Sequence, residues 1–278
     1  MGRRADQRYT RTVNWPGMRS EYSWLPPHDG VTVTRANQVG VSFSGHRGAV
    51  IERAGRVTEI DVSAGTTFVT GQEPLVWTRV REVTDAIEIY PDPGLLADLA
   101  AQSRTGATDI DITPASATRD AVVLGIAALL RRAHVAGEYA DVAGSTLAHR
   151  LAWHLLMTYG GVRIAARETQ PGLLDRCGIE RVVDLIDAEL SDKLTLERLA
   201  SAAALSPYHF ARAFKASTGL APYQFVTMRR VERAKALLTT TPASVTQVAH
   251  MVGFSNISHF RRLFRLHTGL TPGDLRRL

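Results

Sequence analysis

The sequence predicts an α+β protein of two domains, and three observations lead to this prediction. Its 278 residues are enough for two ordinary domains. Short segments rich in β-branched residues fill the first third of the chain, and helical periodicity replaces them afterwards. The last third repeats part of itself. We therefore expect a small N-terminal β-barrel with a helical hairpin, followed by an all-α domain with two helix-turn-helix motifs joined by a long helix.

The composition is that of a soluble globular protein, with 45% hydrophobic and 22% charged residues. Collagen-like, mucin-like and disordered classes are thereby excluded. The single cysteine, Cys177, rules out an internal disulfide and a cysteine-based zinc site. The longest apolar run, residues 121–130, is too short for a membrane helix, which needs about 20 residues. No targeting segment is recognisable, so we expect a cytoplasmic protein without a membrane partner.

Positive charge is concentrated in two places, although the net charge of the whole chain is only +6. Residues 1–170 hold 18 basic and 18 acidic side chains, whereas residues 171–278 hold 15 basic and nine acidic ones. Residues 1–20 carry five arginines against Asp6 alone, which predicts a basic N-terminal arm. The uneven charge indicates a nucleic-acid partner, with an ordinary solvated surface as the alternative.

The N-terminal domain is predicted over residues 21–165. It opens with short β-branched segments between Gly and Pro turn signals, which is typical of a small barrel or sandwich. We interpret it as a cupin-like barrel. The strand candidates are residues 31–34, 38–43, 57–62, 66–70 and 85–90.

Two helices are predicted next, over residues 119–135 and 142–159. In the second, Leu147, Leu151 and Leu155 recur every four residues and form one apolar face. The pair either completes the core of the barrel or forms a dimer interface over residues 118–160, and we favour the interface. A linker is predicted at residues 166–177.

The C-terminal domain, residues 178–278, contains an internal repeat at an offset of 50. Eight positions are identical between the copies, which is far above chance. The identical pairs are His209/His259, Phe210/Phe260, Arg212/Arg262, Phe214/Phe264, Thr218/Thr268, Gly219/Gly269, Leu220/Leu270 and Pro222/Pro272.

The first copy predicts a helix-turn-helix over about residues 195–217. Thr195 is a candidate cap for the first helix. Ser206 followed by Pro207 is a strong start signal for the second helix, and Gly219 is a stop signal.

The second copy predicts the same motif over about residues 245–267. Gly253 ends its first helix, Ser255 caps the second, and Gly269 ends that one. A long helix over residues 222–239 lies between the motifs and spans about 27 Å. Adjacent major-groove faces on one side of B-DNA are about 34 Å apart, so this helix suits two reading motifs. A plain helical bundle, the alternative, does not explain the duplicated arginine of the repeat.

At these residues the sequence resembles the AraC/XylS transcription regulators. The resemblance covers about residues 178–278, and the N-terminal half is similar to the sensing and dimerising domain of that family. It implies a sequence-specific regulator that binds double-stranded operator DNA at the nucleoid as a homodimer, with RNA polymerase as a further candidate partner. The residues that carry the resemblance are Arg230 to Leu238, Val248-Ala249, Gly253-Phe254-Ser255, Phe260, Phe264 and Thr268 to Pro272.

The resemblance further implies that the second helix of each motif enters the major groove. An arginine fork matches O6 and N7 of guanine, whereas the alternative for each arginine is a phosphate contact or a surface ion pair. The expected base-contacting residues are Tyr208, Ala211, Arg212, Asn256, Ile257, Ser258, Arg261 and Arg262. The expected phosphate-contacting residues are Ser206, Lys215 and Arg265.

An effector pocket inside the barrel is also implied by the resemblance. Aromatic and imidazole side chains line many small-molecule pockets, although such side chains are more often part of the core. The candidates are Trp24, His28, His46, Trp77 and Tyr90. The alternative is an effector-independent DNA binder whose N-terminal domain serves dimerisation or contact with another protein.

No enzymatic activity, cofactor or metal is expected. Catalytic serine, P-loop and dinucleotide-binding motifs are missing from the sequence. His28 and His46 are isolated, whereas a metal oxygenase needs clustered histidines. A fused DNA-repair alkyl-transfer enzyme needs several cysteines, and Cys177 is the sole one.

Overall fold

The computed structural model describes residues 9–25, 27, 30–102, 111–138, 141–160 and 173–277. The chain divides into two compact units. The first comprises Met1–Leu130 and Glu138–Arg167, and the second comprises Arg131–Gly137 and Glu168–Leu278. The short segment Arg131–Gly137 therefore belongs to the second unit, although the sequence placed it in the domain 21–165.

Ten strands form two antiparallel sheets in the described part of the first unit. The six-stranded sheet has the order β1-β2-β9-β4-β7-β10, and the four-stranded sheet has the order β3-β8-β5-β6. The strands are β1 Tyr9–Trp15, β2 Met18–Leu25, β3 Thr32–Val33, β4 Val39–Ser42, β5 His46–Arg53, β6 Arg56–Val62, β7 Thr66–Val69, β8 Val76–Arg79, β9 Thr84–Pro91 and β10 Ala115–Thr118.

The predicted closed, cupin-like barrel is not present in the described residues. β1 and β10 are the edges of one sheet and β3 and β6 are the edges of the other, and no ladder of hydrogen bonds joins them there. The sheets instead contact each other through Phe68 of β7, whose ring centroid lies 5.0 Å from that of Trp77 on β8. The other members of this shared core are Ala49, Ile51, Ile60, Val62 and Leu75.

The predicted basic arm over residues 1–20 is wrong from Tyr9 onwards. Residues 9–25 form the β1–β2 hairpin, with Thr12 opposite Glu21. The buried Trp15 anchors this hairpin, because its Nε1 donates to Ser20 Oγ at 2.8 Å. The arginines of this segment were interpreted as a charged arm, so the two-residue alternation that is typical of a strand was missed. The first eight residues lie outside the described part of the chain.

Three helices accompany these strands: α1 Pro93–Gln102, α2 Ala121–Ala136 and α3 Asp141–Thr158. Residues 131–136 of α2 belong to the second unit. α2 and α3 match the predicted hairpin, whereas α1 was not predicted. Asp120 fixes the start of α2, since one carboxylate oxygen accepts from Val122 N and Val123 N at 3.0 Å each. Its other oxygen accepts from Tyr159 Oη at 2.8 Å and lies 2.6 Å from His154 Nε2, which ties α2 to the end of α3.

The second unit is helical throughout its described residues. Helix-turn-helix motifs α5–α6 and α8–α9 are joined by α7, as the sequence predicted. The helices are α4 Arg176–Ala188, α5 Leu196–Ala202, α6 Pro207–Thr218, α7 Pro222–Thr240, α8 Val245–Met251, α9 Ile257–Thr268 and α10 Pro272–Arg276. In the described ranges of both units, no helix is long and apolar enough to cross a membrane.

Capping residues fix the ends of the second helix in each motif, and one capping residue differs from the prediction. Ser206 caps α6, and Gly219 ends it in the left-handed conformation with φ 85°. α9 is capped by Asn256, whose Oδ1 accepts from His259 N at 2.9 Å, and Ser255 lies one residue outside the helix. Because Asn256 follows Ser206 by 50 residues, the repeat itself identifies this cap.

Arg230 of α7 links three carbonyl groups of the second unit. Its guanidinium donates to the oxygens of Leu190 at 2.9 Å, Asp192 at 2.7 Å and Gly253 at 2.9 Å. Burial lowers the pKa of Arg230 from its ordinary value. A Cβ atom at Gly253, where φ is 85°, would lie 2.7 Å from the Leu190 oxygen, so the turn of the second motif has room for glycine alone. Arg230 thus fixes this turn against the loop that follows α4.

A buried cluster of three charged side chains lies inside the second unit. Arg131, Glu232 and Lys235 expose 1%, 2% and 6% of their side chains. Glu232 accepts from Arg131 Nη2 at 2.7 Å and from Lys235 Nζ at 3.0 Å. Burial acts to raise the pKa of Glu232, but the two cations outweigh it and hold this pKa below its ordinary value. All three side chains therefore depend on one another for their charge compensation.

Candidate nucleic-acid interface

α6 presents a polar face to solvent because its apolar side chains point the other way. Phe210 and Phe214 are fully buried, and their ring centroids lie 5.3 Å apart. Tyr208, Arg212 and Lys215 are exposed on the opposite face. Of the remaining predicted contact residues, Ser206 is exposed and Ala211 is half-buried.

α9 repeats this arrangement. Phe260 and Phe264 are fully buried, with ring centroids 5.6 Å apart. The exposed predicted residues of this second copy are Asn256, Ser258, Arg261, Arg262 and Arg265, and Ile257 is half-buried. The repeat thus brings the predicted cations of each motif to one outward face of its second helix, whereas Ile257 lies on the side of Phe260 and Phe264.

These two faces are strongly electropositive. α6 contributes Arg212 and Lys215, α9 contributes three arginines, and neither helix contains an acidic residue. Some arginines elsewhere in this unit are matched to carboxylates. Arg198 pairs with Glu189 at 2.6 Å and Arg229 with Asp187 at 2.7 Å. Within residues 173–277, the cations of α6 and α9 form no ion pair, and all five side chains are exposed.

Arg212 is held in place by its neighbour on the same helix. Its Nη1 donates to Tyr208 Oη at 2.9 Å, and its guanidinium carbon lies 5.6 Å from the centroid of that ring. Residues four apart share one helical face, so the pair is pre-oriented toward solvent. Sequence reasoning treated the two as separate contact residues and missed this hydrogen bond.

The five predicted effector residues are not brought together into one site. His46 is buried on β5, where its Nε2 lies 3.1 Å from Ser42 Oγ, and Trp77 belongs to the core around Phe68. Trp24 and Tyr90 lie on opposite faces of the six-stranded sheet, because Trp24 pairs with Asp85 and Tyr90 with Arg19 in one regular register. His28 lies outside the described residues.

Tyr90 instead has charged neighbours that the sequence did not single out. Its hydroxyl donates to Glu21 Oε2 at 2.9 Å, and the guanidinium carbon of Arg19 lies 4.5 Å from its ring centroid. Glu88 lies beside Glu21 on the adjacent strand. The alternation of side chains in residues 18–25 predicts the strand that carries these neighbours. It was missed because the predicted boundary between the arm and the domain divided this segment at residue 20. No group of His, Cys, Asp and Glu in the described residues is arranged to hold a metal ion.

Comparison with known proteins gives matches that fall on the second unit. A family model described as a helix-turn-helix domain matches residues 199–278. The regulatory protein PocR of Salmonella typhimurium is 37% identical over 94 residues, which are 34% of this chain and 31% of that protein. The MmsAB operon regulatory protein of Pseudomonas aeruginosa is 36% identical over 110 residues, 40% of this chain and 35% of that protein.

Two further matches concern a bifunctional protein and a solved complex. The bifunctional transcriptional activator/DNA repair enzyme AdaA of Bacillus subtilis is 33% identical over 112 residues, which are 40% of this chain and 53% of that protein. The DNA-binding domain of AdpA, solved with a target DNA, is 34% identical and is covered to 90%, with 36% of this chain matched and a TM-score of 0.35. The chain therefore spans about a third to a half of the curated relatives named here.

Proposed function

The C-terminal helix-turn-helix region of this chain belongs to the AraC/XylS family, and on that premise we propose that the whole protein is a sequence-specific DNA-binding transcriptional regulator. The observation that carries the proposal is the pair of outward faces on α6 and α9, with five cations and no acid between them. We place the protein at the nucleoid, where its operator lies. The single cysteine gives no support for a repair activity of the kind named for AdaA.

Selection of DNA from a random pool with the full-length chain tests this proposal. We expect two short sequence elements on one face of the duplex, with centres about one helical turn apart. Enrichment of no common sequence, with binding that depends on salt alone, would leave a non-specific DNA binder instead.

The contact roles within each face are assigned from the family resemblance and from the position of each side chain along its helix. The outward residues near the start of α6 and α9 are proposed to meet base edges: Tyr208, Ala211, Arg212, Asn256, Ile257, Ser258, Arg261 and Arg262. Ser206, at the N-terminus of α6, and the more distal Lys215 and Arg265 are proposed to contact phosphates.

Replacing Arg212 with alanine should weaken binding to the selected site by about 1–3 kcal/mol and relax one base position. The reason is that its fork, held by Tyr208, is suited to a bidentate contact with guanine. Titration of selected and random duplexes at one salt concentration measures the effect. Arg176→Ala, an exposed arginine paired with Glu180 on α4, makes the same charge change as a control. An equal loss on both duplexes contradicts base reading by Arg212.

Replacing Lys215 or Arg265 with alanine should weaken binding to all sequences alike. Each loss should also reduce the slope of log K against log salt by about 1, because one fewer counterion is released. Measurement of affinity over a series of salt concentrations on both duplexes checks this. A loss that depends on the sequence would assign the residue to base contact instead.

The first unit is proposed to bind a small-molecule effector. Support comes from the polar, partly accessible sheet face around Tyr90, where Glu21 and Glu88 lie nearby. Screening the full chain by thermal shift against metabolites tests this, and a true effector also changes operator affinity, because coupling is reciprocal. If no metabolite changes the melting temperature, the alternative is favoured, in which this unit serves dimerisation or contact with another protein.

A homodimer is proposed to form through α2 and α3. Val142, Trp153 and Met157 share one outward stripe of α3 and expose 82%, 37% and 43% of their surfaces. Apolar side chains grouped on one stripe are typical of an interface. Trp153→Asp should therefore shift the full chain from dimer to monomer in sedimentation velocity, whereas Glu180→Lys on α4 should not. A wild-type chain that sediments as a monomer at all concentrations contradicts the interface.

A further inference from the structure

One face of the six-stranded sheet changes from apolar to charged along a row of paired residues. Cross-strand pairing places Glu21, Glu88, Gly40 and Phe68 in one row across β2, β9, β4 and β7. Phe68, at one end of this row, is 6% exposed against the four-stranded sheet. Glu21, on β2, keeps 23% of its side chain exposed, and Glu88 is likewise partly accessible. This face is therefore covered at β7 and partly accessible at β9 and β2, and the part around Glu21, Glu88 and Tyr90 is named the charged face.

Glu21 already has two partners on this face. One of its oxygens lies 2.8 Å from Arg19 Nη2 in an ion pair, and the other accepts from the Tyr90 hydroxyl at 2.9 Å. Arg19 and Arg35 both lie over the Tyr90 ring, at 4.5 Å and 5.1 Å from its centroid. Glu21 therefore has a cation and a hydroxyl group as partners and has little capacity left for a ligand.

Glu88 differs from Glu21 in having no cation beside it. Its Oε2 accepts from Gln38 Nε2, and within the described residues no Lys, Arg or His forms an ion pair with it. Burial, opposed in part by this Gln38 contact and reinforced by the charge of Glu21, raises the pKa of Glu88 to about 7. A carboxylate offers about four acceptor positions, so most of its capacity is unused.

Resting on the proposed effector-sensing role of this unit, we propose that Glu88 anchors the ammonium group of a small primary amine at the charged face. An ammonium group supplies both the missing positive charge and three hydrogen-bond donors. A carboxylate ligand would meet Glu88 and Glu21 as like charges, and stabilisation by such a ligand would assign the site to Arg19 or Arg35 instead of Glu88. A neutral alcohol would leave the buried charge uncompensated.

Ionisation of Glu88 makes this binding depend on pH in a defined direction. The polar and charged groups on this face are Gln38 beside β4, Glu21 and Arg19 on β2, Tyr90 on β9, and Arg35, which lies over the Tyr90 ring. Because the ammonium group binds the ionised carboxylate, affinity for an amine should rise as the pH increases through about 7.

The test uses the full-length chain and three probes of equal length: butylamine, 1-butanol and butyrate. At millimolar concentration and pH 8, we expect butylamine alone to raise the melting temperature, and to raise it less at pH 6. Glu88→Gln should abolish this rise while preserving the shape of the side chain. Gly40→Ala is an independent variant, because a Cβ atom there would lie 2.8 Å from Glu88 Oε2 and displace the carboxylate.

Three results would overturn the inference: stabilisation by butyrate in place of butylamine, equal stabilisation by all three probes, or no stabilisation by any. Retention of the butylamine effect in both variants would do so as well. Binding of the selected operator by the same wild-type preparation is measured in parallel. If the chain binds operator but not butylamine, the amine site is refuted and the proposed regulatory function is unaffected. If the chain binds no operator, the proposed regulatory function is refuted.

Discussion

Replacing Glu232 with alanine is expected to lower the free energy of unfolding of the second unit by about 3–5 kcal/mol. The cause is the pair of cations that the substitution leaves behind, since Arg131 and Lys235 are 1% and 6% exposed and lose the carboxylate that neutralises them. Urea unfolding of the full chain, followed by a probe in the second unit, measures the change. The slope against urea should stay the same.

An exposed ion pair provides the control for this loss. Arg176 and Glu180 on α4 keep 71% and 51% of their side chains exposed, so Glu180→Ala should cost no more than about 1 kcal/mol. Equal losses in the two variants would contradict the role given to burial.

The contribution of the same buried cluster to the free energy of unfolding should also depend on pH. The folded-state pKa of Glu232 is lower than its ordinary value, so its contribution is present above the unfolded pKa and is lost as the pH falls through the folded one. The stability difference between wild type and Glu232→Ala should therefore narrow as the pH falls below about 4.

The second large effect is expected at Arg230, whose replacement by alanine should cost about 2–4 kcal/mol of stability. Three carbonyl oxygens lose a charged donor at once, including that of Gly253 in the turn of the second motif. Arg230→Lys should recover less than half of the loss, because an ammonium group cannot reproduce the planar fork.

Arg233, an exposed residue on the same helix, offers the matched control, and Arg233→Ala should change stability by less than about 0.5 kcal/mol. Thermal unfolding of Arg230→Ala, Arg230→Lys and Arg233→Ala beside wild type measures these changes in stability. Full stability of Arg230→Lys would show that charge alone, and not the three-carbonyl contact, is what the turn requires.

The second unit was predictable because its signals are local. Caps, stop glycines and buried phenylalanines recur at a fixed offset, and each depends on neighbours within about one helical turn. The repeat therefore gave the bounds of both motifs, and its outward residues lie where predicted. Hydropathy alone failed at Glu232 and Lys235, because it reads any charged side chain as exposed, whereas burial here follows from mutual neutralisation.

The first unit was less predictable because its organisation is not local. Which strand pairs with which depends on residues far apart in the sequence, such as Val39 with Ile89 or Thr118 with Thr67. Individual strands were therefore recognised, whereas the open pair of sheets was taken for a barrel. The neighbours of Tyr90 were missed for the same reason, since Arg19 and Glu21 reach it only across strands.

Under the proposed function, the unequal outward faces of the two second helices have a consequence for how a regulated gene responds to its binding site. α6 offers Tyr208 with two cations, whereas α9 offers three arginines and no counterpart of that tyrosine. A DNA segment that complements both faces has a left end and a right end, so one chain fits it in a single polarity. Inverting such a segment in front of a gene would turn the bound protein to face away from the transcription start, and regulation would become sensitive to the direction of the site as well as to its distance.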